Sequence, residues 1–180
     1  EKSEIPNRMA VISARQAKFF NPQTSADLIG SSGEVFVQKS QLGGGSPMIR
    51  GFAANRVLIV VDGVRMNNAI YRSGNLQNVL NIDPNFVEGS EIIFGPGSNI
   101  YGSDALGGVM DFHTHAPVLS SGEKLVSRAS VMGRYSSANK ENTGYFGFNV
   151  GHRIWSLLGA VTYTNFDDLT MGSHSHDEYQ

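Results

Sequence analysis

Residues 87–114 read VEGSEIIFGPGSNIYGSDALGGVMDFHT, and this stretch decides the fold. Pro84 precedes an apolar segment ending at Phe94, which reads as a strand stopped by Gly95-Pro96-Gly97. NIYGSDALGG reads as a turn, and a second strand runs from about Gly108 to Thr114, with Pro117 as punctuation. Glycine is frequent throughout, 21 of 180 residues, which calls for many turns and close backbone approaches.

Upstream, the chain reads as a small mixed domain. RMAVI, residues 8–12, is a short apolar run, and Ser13 stands as an N-cap ahead of a helix ARQAKFF that Pro22 ends. TSADLIGSSG predicts a second short helix capped by Thr24 or Ser25, with Asp27 near its positive end and Gly30 or Gly33 at its close. EVFVQKS, residues 34–40, alternates like a strand; LGGGS, residues 42–46, reads as a flexible joint; SPMIRGF reads as a short strand. In RVLIVVDGV, the run Val57–Val61 predicts a strand buried on both faces, and Asp62-Gly63 a turn. Residues 67–81, NNAIYRSGNLQNVLN, read as a polar loop with a helical turn at most.

Downstream of Gly122 the texture changes to three alternating segments, LVSRASVMGRYSS, YFGFNVGHR and WSLLGAVTYTNF. The polar stretch ANKENTG joins the first two, and a short turn near Arg153 joins the others. Phe146, Phe148 and Val150 share one parity; Trp155, Leu157, Val161 and Tyr163 share another; Tyr135, Trp155 and Tyr163 lie toward strand ends. Segments of about ten residues with this alternation and aromatic ends match a membrane-spanning barrel, although an antiparallel sheet on a soluble core shows the same period.

With 40% hydrophobic and 17% charged residues, the chain can bury a core. A net charge of -2 gives no electrostatic case for nucleic acid, and the absence of cysteine excludes disulfides and thiolate metal sites. No apolar run of about 18 residues is present, and Glu1 opens the chain without the pattern of a signal peptide, so such a segment is expected to be absent or removed. No catalytic triad, paired-carboxylate or metal-ligand spacing stands out, and LGGGS and FGPGS lack the Lys-Ser/Thr of a phosphate loop, so no enzymatic reading is supported.

MIRGF, RVLIVVDGVRMNN and VEGSEIIFGPGSNIYGSDALGGVMDFHT, in this order from Met48 to Thr114, resemble the plug domain of TonB-dependent outer-membrane receptors. The resemblance covers residues from about 9 to 117. It implies an α+β plug, a small mixed β-sheet with short helices, in residues 1–117. A linker at 118–124 and the first antiparallel strands of a 22-stranded transmembrane β-barrel at 125–180 would follow. Three strands cannot close a barrel, so the chain is expected to be the N-terminal part of a longer protein.

The resemblance further implies an energy-dependent import receptor in the outer membrane of a Gram-negative bacterium, contacting lipid, a TonB-type inner-membrane energising protein and, in some members, a surface lipoprotein. The wording NNAIYRSGNLQNV is most similar to the haem and haemoprotein branch, which makes haem or an iron chelate the expected transported ligand, with no intrinsic cofactor. Two plug loops would face outward, carrying Tyr71, Arg72, Asn75, Asn99 and Tyr101 as ligand-binding candidates; an arginine there suits haem propionates. His174 and His176, in the polar end beyond the third strand, are candidate haem ligands. His113 and His115 read as structural, and His152 as interfacial. Arg50, Glu88 and Glu91 are candidates for plug–barrel ion pairs. Phe94 and Gly89 stand where the family often carries basic residues, which departs from a two-arginine lock. A surface receptor capturing a protein, glycan or corrinoid ligand, and a soluble β-rich domain, are the competing readings. No energising-protein contact sequence is visible before Arg8.

Overall fold

The computed structural model describes residues 8–40, 44–53, 56–66, 82–95, 101–102 and 105–168. The chain divides into two compact units, Glu1–His115 and Ala116–Gln180.

The first unit is built on a five-stranded sheet in the order β1-β7-β8-β5-β6, formed by β1 (Met9–Ser13), β7 (Val87–Phe94), β8 (Gly108–Thr114), β5 (Val57–Val61) and β6 (Val64–Arg65). β5 and β8 run parallel, and the other pairs are antiparallel. The parallel pair lies inside the sheet, and Val57–Val60 are all buried, as a strand covered on both faces requires. Asp62 and Gly63 both take positive φ and turn β5 into β6.

Short helices cover one face. Ser13 ends β1 and caps α1 (Ala14–Phe20) through a capping box with Gln16. Thr24 and Asp27 make the same box for α2 (Ser25–Gly30). The α1 helix stops one residue before the expected proline: Asn21 takes the left-handed conformation and its N–H bonds to Ala17 O. Ser25 Oγ donates to the Ile82 carbonyl, tying α2 to the start of the β7 segment. Leu28, Ile29, Ile49, Ile92, Met110 and Phe112 form the main core beneath the helices.

Two local expectations are corrected. Residues 44–46 are not part of a flexible joint: β3 (Gly44–Ile49) pairs antiparallel with β2 (Phe36–Ser40). A Cβ on Gly45 would stand 2.6 Å from the Ala26 Cβ, so this glycine serves close packing against α2. SPMIRGF is not one strand either. Arg50 and Gly51 take positive φ and turn β3 back into β4 (Phe52–Ala53).

The second unit is a three-stranded antiparallel sheet in the order β11-β10-β9, with β9 (Val126–Ser136), β10 (Glu141–Gly151) and β11 (Ser156–Asn165). β10 begins inside the stretch expected to be a loop, so the β9–β10 connection is only residues 137–140, with Lys140 at positive φ.

Candidate functional site

The second unit carries the reversed polarity of a membrane wall. On one face of β10, Glu141, Thr143, Tyr145, Gly147, Asn149 and Gly151 are all buried. Register places Arg134, Ser130 and Arg128 of β9 and Thr164, Thr162 and Ser156 of β11 on that same face. The other face carries Val131, Phe146, Phe148, Val150, Leu157 and Val161, with Val131 79% and Val161 69% exposed. Tyr135 and Tyr163 flank Asn142 and Gly144 at one end of this apolar face, and Trp155 lies beyond Leu157 at the other. His152 stacks on Trp155 at 6.0 Å and 23° between ring planes. A sheet whose central strand covers its polar face while the apolar, aromatic-ended face stays exposed suits lipid outside and water inside.

The covered polar face is knitted by charge. Arg134 donates from Nε and Nη2 to Glu141 Oε1 at 3.0 and 2.7 Å, and both side chains are buried. Thr143 Oγ1 donates to the same carboxylate at 2.6 Å and lies 3.1 Å from Thr164 Oγ1. A buried ion pair of this kind holds only with its hydrogen bonds satisfied. Glu141 was not among the expected site residues. Its pairing becomes legible only once the four-residue connection puts Thr143 opposite Arg134.

In the first unit, the sheet face away from the helices holds a smaller apolar cluster of Leu58, Val60, Ala105 and Val109, packed with Ile93 and Tyr101. Glu91 and Asp111 are direct register partners, and by strand parity they share this face with Ile93 and Val109. Asp111 Oδ1 is buried and has no hydrogen-bond partner among the described residues. Burial pushes the Asp111 carboxyl above its usual range; His113 opposes this, while Glu91 and Asp62 add to it. Burial also raises the Tyr101 hydroxyl, with Asp111 and then Glu91 contributing. Asp62 moves the other way: Thr114 donates its hydroxyl to Asp62 Oδ2 at 2.6 Å and its N–H to Oδ1 at 2.9 Å, which hold that carboxyl low.

Of the expected plug–barrel residues, Glu88 is exposed and Glu91 half-buried beside Asp111. Arg50 holds its guanidinium 5.4 Å from the centre of the Phe94 ring, and Arg8 lies 5.6 Å from the same ring while pairing with Glu34 at 2.6 Å. Phe94, standing where the family often has a cation, is thus the platform for two. The His115 ring meets Phe86 edge-on at 6.0 Å, and the His115 backbone N–H donates to the Phe86 carbonyl. Tyr101 is half-buried. Tyr71, Arg72, Asn75, Asn99, His174 and His176 lie outside the described residues. Among the described residues no group of three or more metal-ligating side chains converges, and no helix is long and apolar enough to cross a membrane.

A small mixed sheet capped by short helices, followed along the chain by strands of reversed polarity, matches a plug domain and the start of an outer-membrane barrel. The chain belongs to the TonB-dependent receptor family: the family's "TonB-dependent Receptor Plug Domain" description matches residues 1–109. It is 31% identical over 169 residues to the hemin receptor of Yersinia pestis, covering 92% of this chain and 22% of that one. It is 40% identical over 109 residues to the vitamin B12 transporter BtuB of Vibrio vulnificus (strain CMCP6), covering 58% of this chain and 16% of the relative. Among solved structures, the copper transporter OprC superposes with a TM-score of 0.71 at 21% identity, over 89% of this chain and 24% of that one. The chain therefore spans about a fifth of the length of the curated relatives it matches. Such relatives are transporters and receptors, not enzymes.

Proposed function

We propose that this chain is the N-terminal part of an energy-dependent import receptor of a Gram-negative outer membrane, in which residues 1–117 form the plug, 118–124 the linker and 125–180 the first barrel strands. The plug gates uptake of haem or an iron chelate. A TonB-type inner-membrane protein supplies the energy, so no catalytic group is required. The observation that carries this reading is the reversed polarity of the β9–β11 sheet in a chain whose first 109 residues match a plug.

Haem is favoured because the similarity to the hemin receptor extends across 92% of the chain, through the plug and into the strands. On this reading Tyr71, Arg72, Asn75, Asn99 and Tyr101 contact the ligand, and His174 and His176 offer neutral imidazoles to the iron. On the same reading Arg50, Glu88 and Glu91 make the ion pairs between plug and barrel wall. A corrinoid ligand is the second reading, favoured by the 40% identity of the plug to a vitamin B12 transporter.

The full-length receptor, expressed in a haem-auxotrophic host, tests both. Growth on haemin is expected, and it is lost when the energising protein is deleted. Growth that survives that deletion refutes energised import. Uptake of labelled cyanocobalamin with none of haemin selects the corrinoid reading. Haemin titration of the full-length protein should show a Soret shift that His174→Ala with His176→Ala removes; an unchanged spectrum rules out ligation by this pair.

A further inference from the structure

The segment between plug and barrel strands is fastened down. Val118 donates its N–H to Asn149 Oδ1 at 3.0 Å and accepts Asn149 Nδ2 at 3.1 Å on its carbonyl. One buried amide thus grips both backbone groups of one linker residue. Ser156 Oγ lies 3.0 Å from the same carbonyl. A Cβ on Gly151 would collide with the Val118 carbonyl, so only glycine lets the chain lie this close. Two residues on, Ser120 N–H donates to the His152 carbonyl at 3.2 Å. The Ser120 hydroxyl then closes a turn on the Lys124 carbonyl at 2.6 Å and accepts the Gly122 N–H at 3.2 Å.

Among the described residues, every external partner in this clamp belongs to β10, β11 or the turn between them, and none to β9. That distribution matters for load. β9 is joined directly to the linker, and its first pair is Val126 with Gly151. A pull arriving from the plug with no fastening would open that pair first and unzip β9 from β10 one pair at a time. With the fastening, the pull meets Val118 before Val126. It is then delivered to Asn149 and Ser156, on the second and third strands.

We infer that the Asn149–Val118 clamp is a strain relief: a stop that confines pulling or unravelling of the plug to the chain before Val118 and keeps the first barrel strand in register. The inference rests on the energised-import reading for the source of the pull, but the clamp itself needs neither energy nor ligand. Chain motion in the cycle would then end near Ala116, and the linker would count as part of the wall.

Hydrogen exchange on the full-length receptor in lipid vesicles tests the clamp. The Val118 and Ser120 amides should exchange as slowly as those of β10, and Asn149→Ala should speed them about 10-fold or more with β10–β11 protection intact. If Asn149→Ala fails to assemble, Val118→Pro removes the same N–H from the linker alone and should release Ser120. Linker amides that exchange at the unprotected rate in the native receptor overturn the inference. Pulling through a handle attached at Glu1 then tests the stop. Release should halt after about 117 residues, roughly 420 Å of extended chain, and in Val118→Pro should run on past this point by about 30 Å or more, through the linker and into β9. Equal release in both proteins overturns the stop. Haemin uptake is scored separately: its absence with linker protection intact removes the import reading and spares the clamp, and uptake with an unprotected linker does the reverse.

Discussion

Val131→Arg separates a membrane wall from an ordinary sheet more sharply than any other single change. Val131 sits at the middle of the eleven-residue β9, is 79% exposed, and faces the same side as Phe146 and Val161. Eleven residues at about 3.3 Å each give roughly 36 Å of strand, and a tilt near 45° brings this to about 26 Å, the height of an outer-membrane apolar band. Val131 then lies near mid-depth, where arginine on the lipid side costs about 2–4 kcal/mol. Met132→Arg, one residue on and facing the polar side with Arg134, should cost far less, within about 1 kcal/mol. In a water-bathed sheet the ranking vanishes, because a largely exposed valine tolerates arginine to within about 0.5 kcal/mol. Urea unfolding of the full-length receptor in vesicles, followed by tryptophan fluorescence, measures both variants. A neutral Val131→Arg, or equal costs at the two positions, refutes the assignment of faces.

Two carboxylates give the plug opposing pH limbs. Asp62 is held low by Thr114, so its contribution is present above the ordinary carboxylate range and is lost as pH falls through its lowered value; Asp62→Asn should flatten that acid limb in a thermal-denaturation series. Asp111 is pushed up by burial, so its protonated form favours the fold and stability declines as pH rises through its raised value; Asp111→Asn should raise the melting temperature at pH 7 and leave it unchanged near pH 3. Gly108 has φ of 149°, and an added Cβ would stand 2.7 Å from the Ile93 carbonyl oxygen, so Gly108→Ala should cost about 3 kcal/mol by denaturant unfolding. Gly122→Ala, which meets open space, should fall within about 0.5 kcal/mol of the parent.

What the sequence reveals here is whatever is local or periodic. Both helix starts are visible because a capping box occupies four consecutive residues, Ser13–Gln16 and Thr24–Asp27. The faces of β10 and β11 are visible because parity needs no knowledge of partners. The glycines mislead where they serve packing: Gly45 reads as slack and is instead wedged against Ala26. The start of β10 is hidden because Glu141 and Thr143 look like loop residues until Arg134 and Thr164 receive them. Register-dependent features are beyond reach from one sequence. Glu91 meets Asp111 across twenty residues, and Asn149 grips Val118 across thirty-one. The glycine-rich motifs from Met48 to Thr114 identified the plug all the same, because a plug's turns fix their order and spacing.

The most direct test of the central claim, that this chain carries a plug followed by the opening strands of an outer-membrane barrel, is a nitroxide scan of Ser127–Tyr135 in the full-length receptor reconstituted in lipid. Accessibility should alternate with period two: oxygen, which partitions into hydrocarbon, should favour 127, 129, 131, 133 and 135, and a water-soluble nickel complex should favour 128, 130, 132 and 134. Uniform access of the nickel complex along the strand would contradict it.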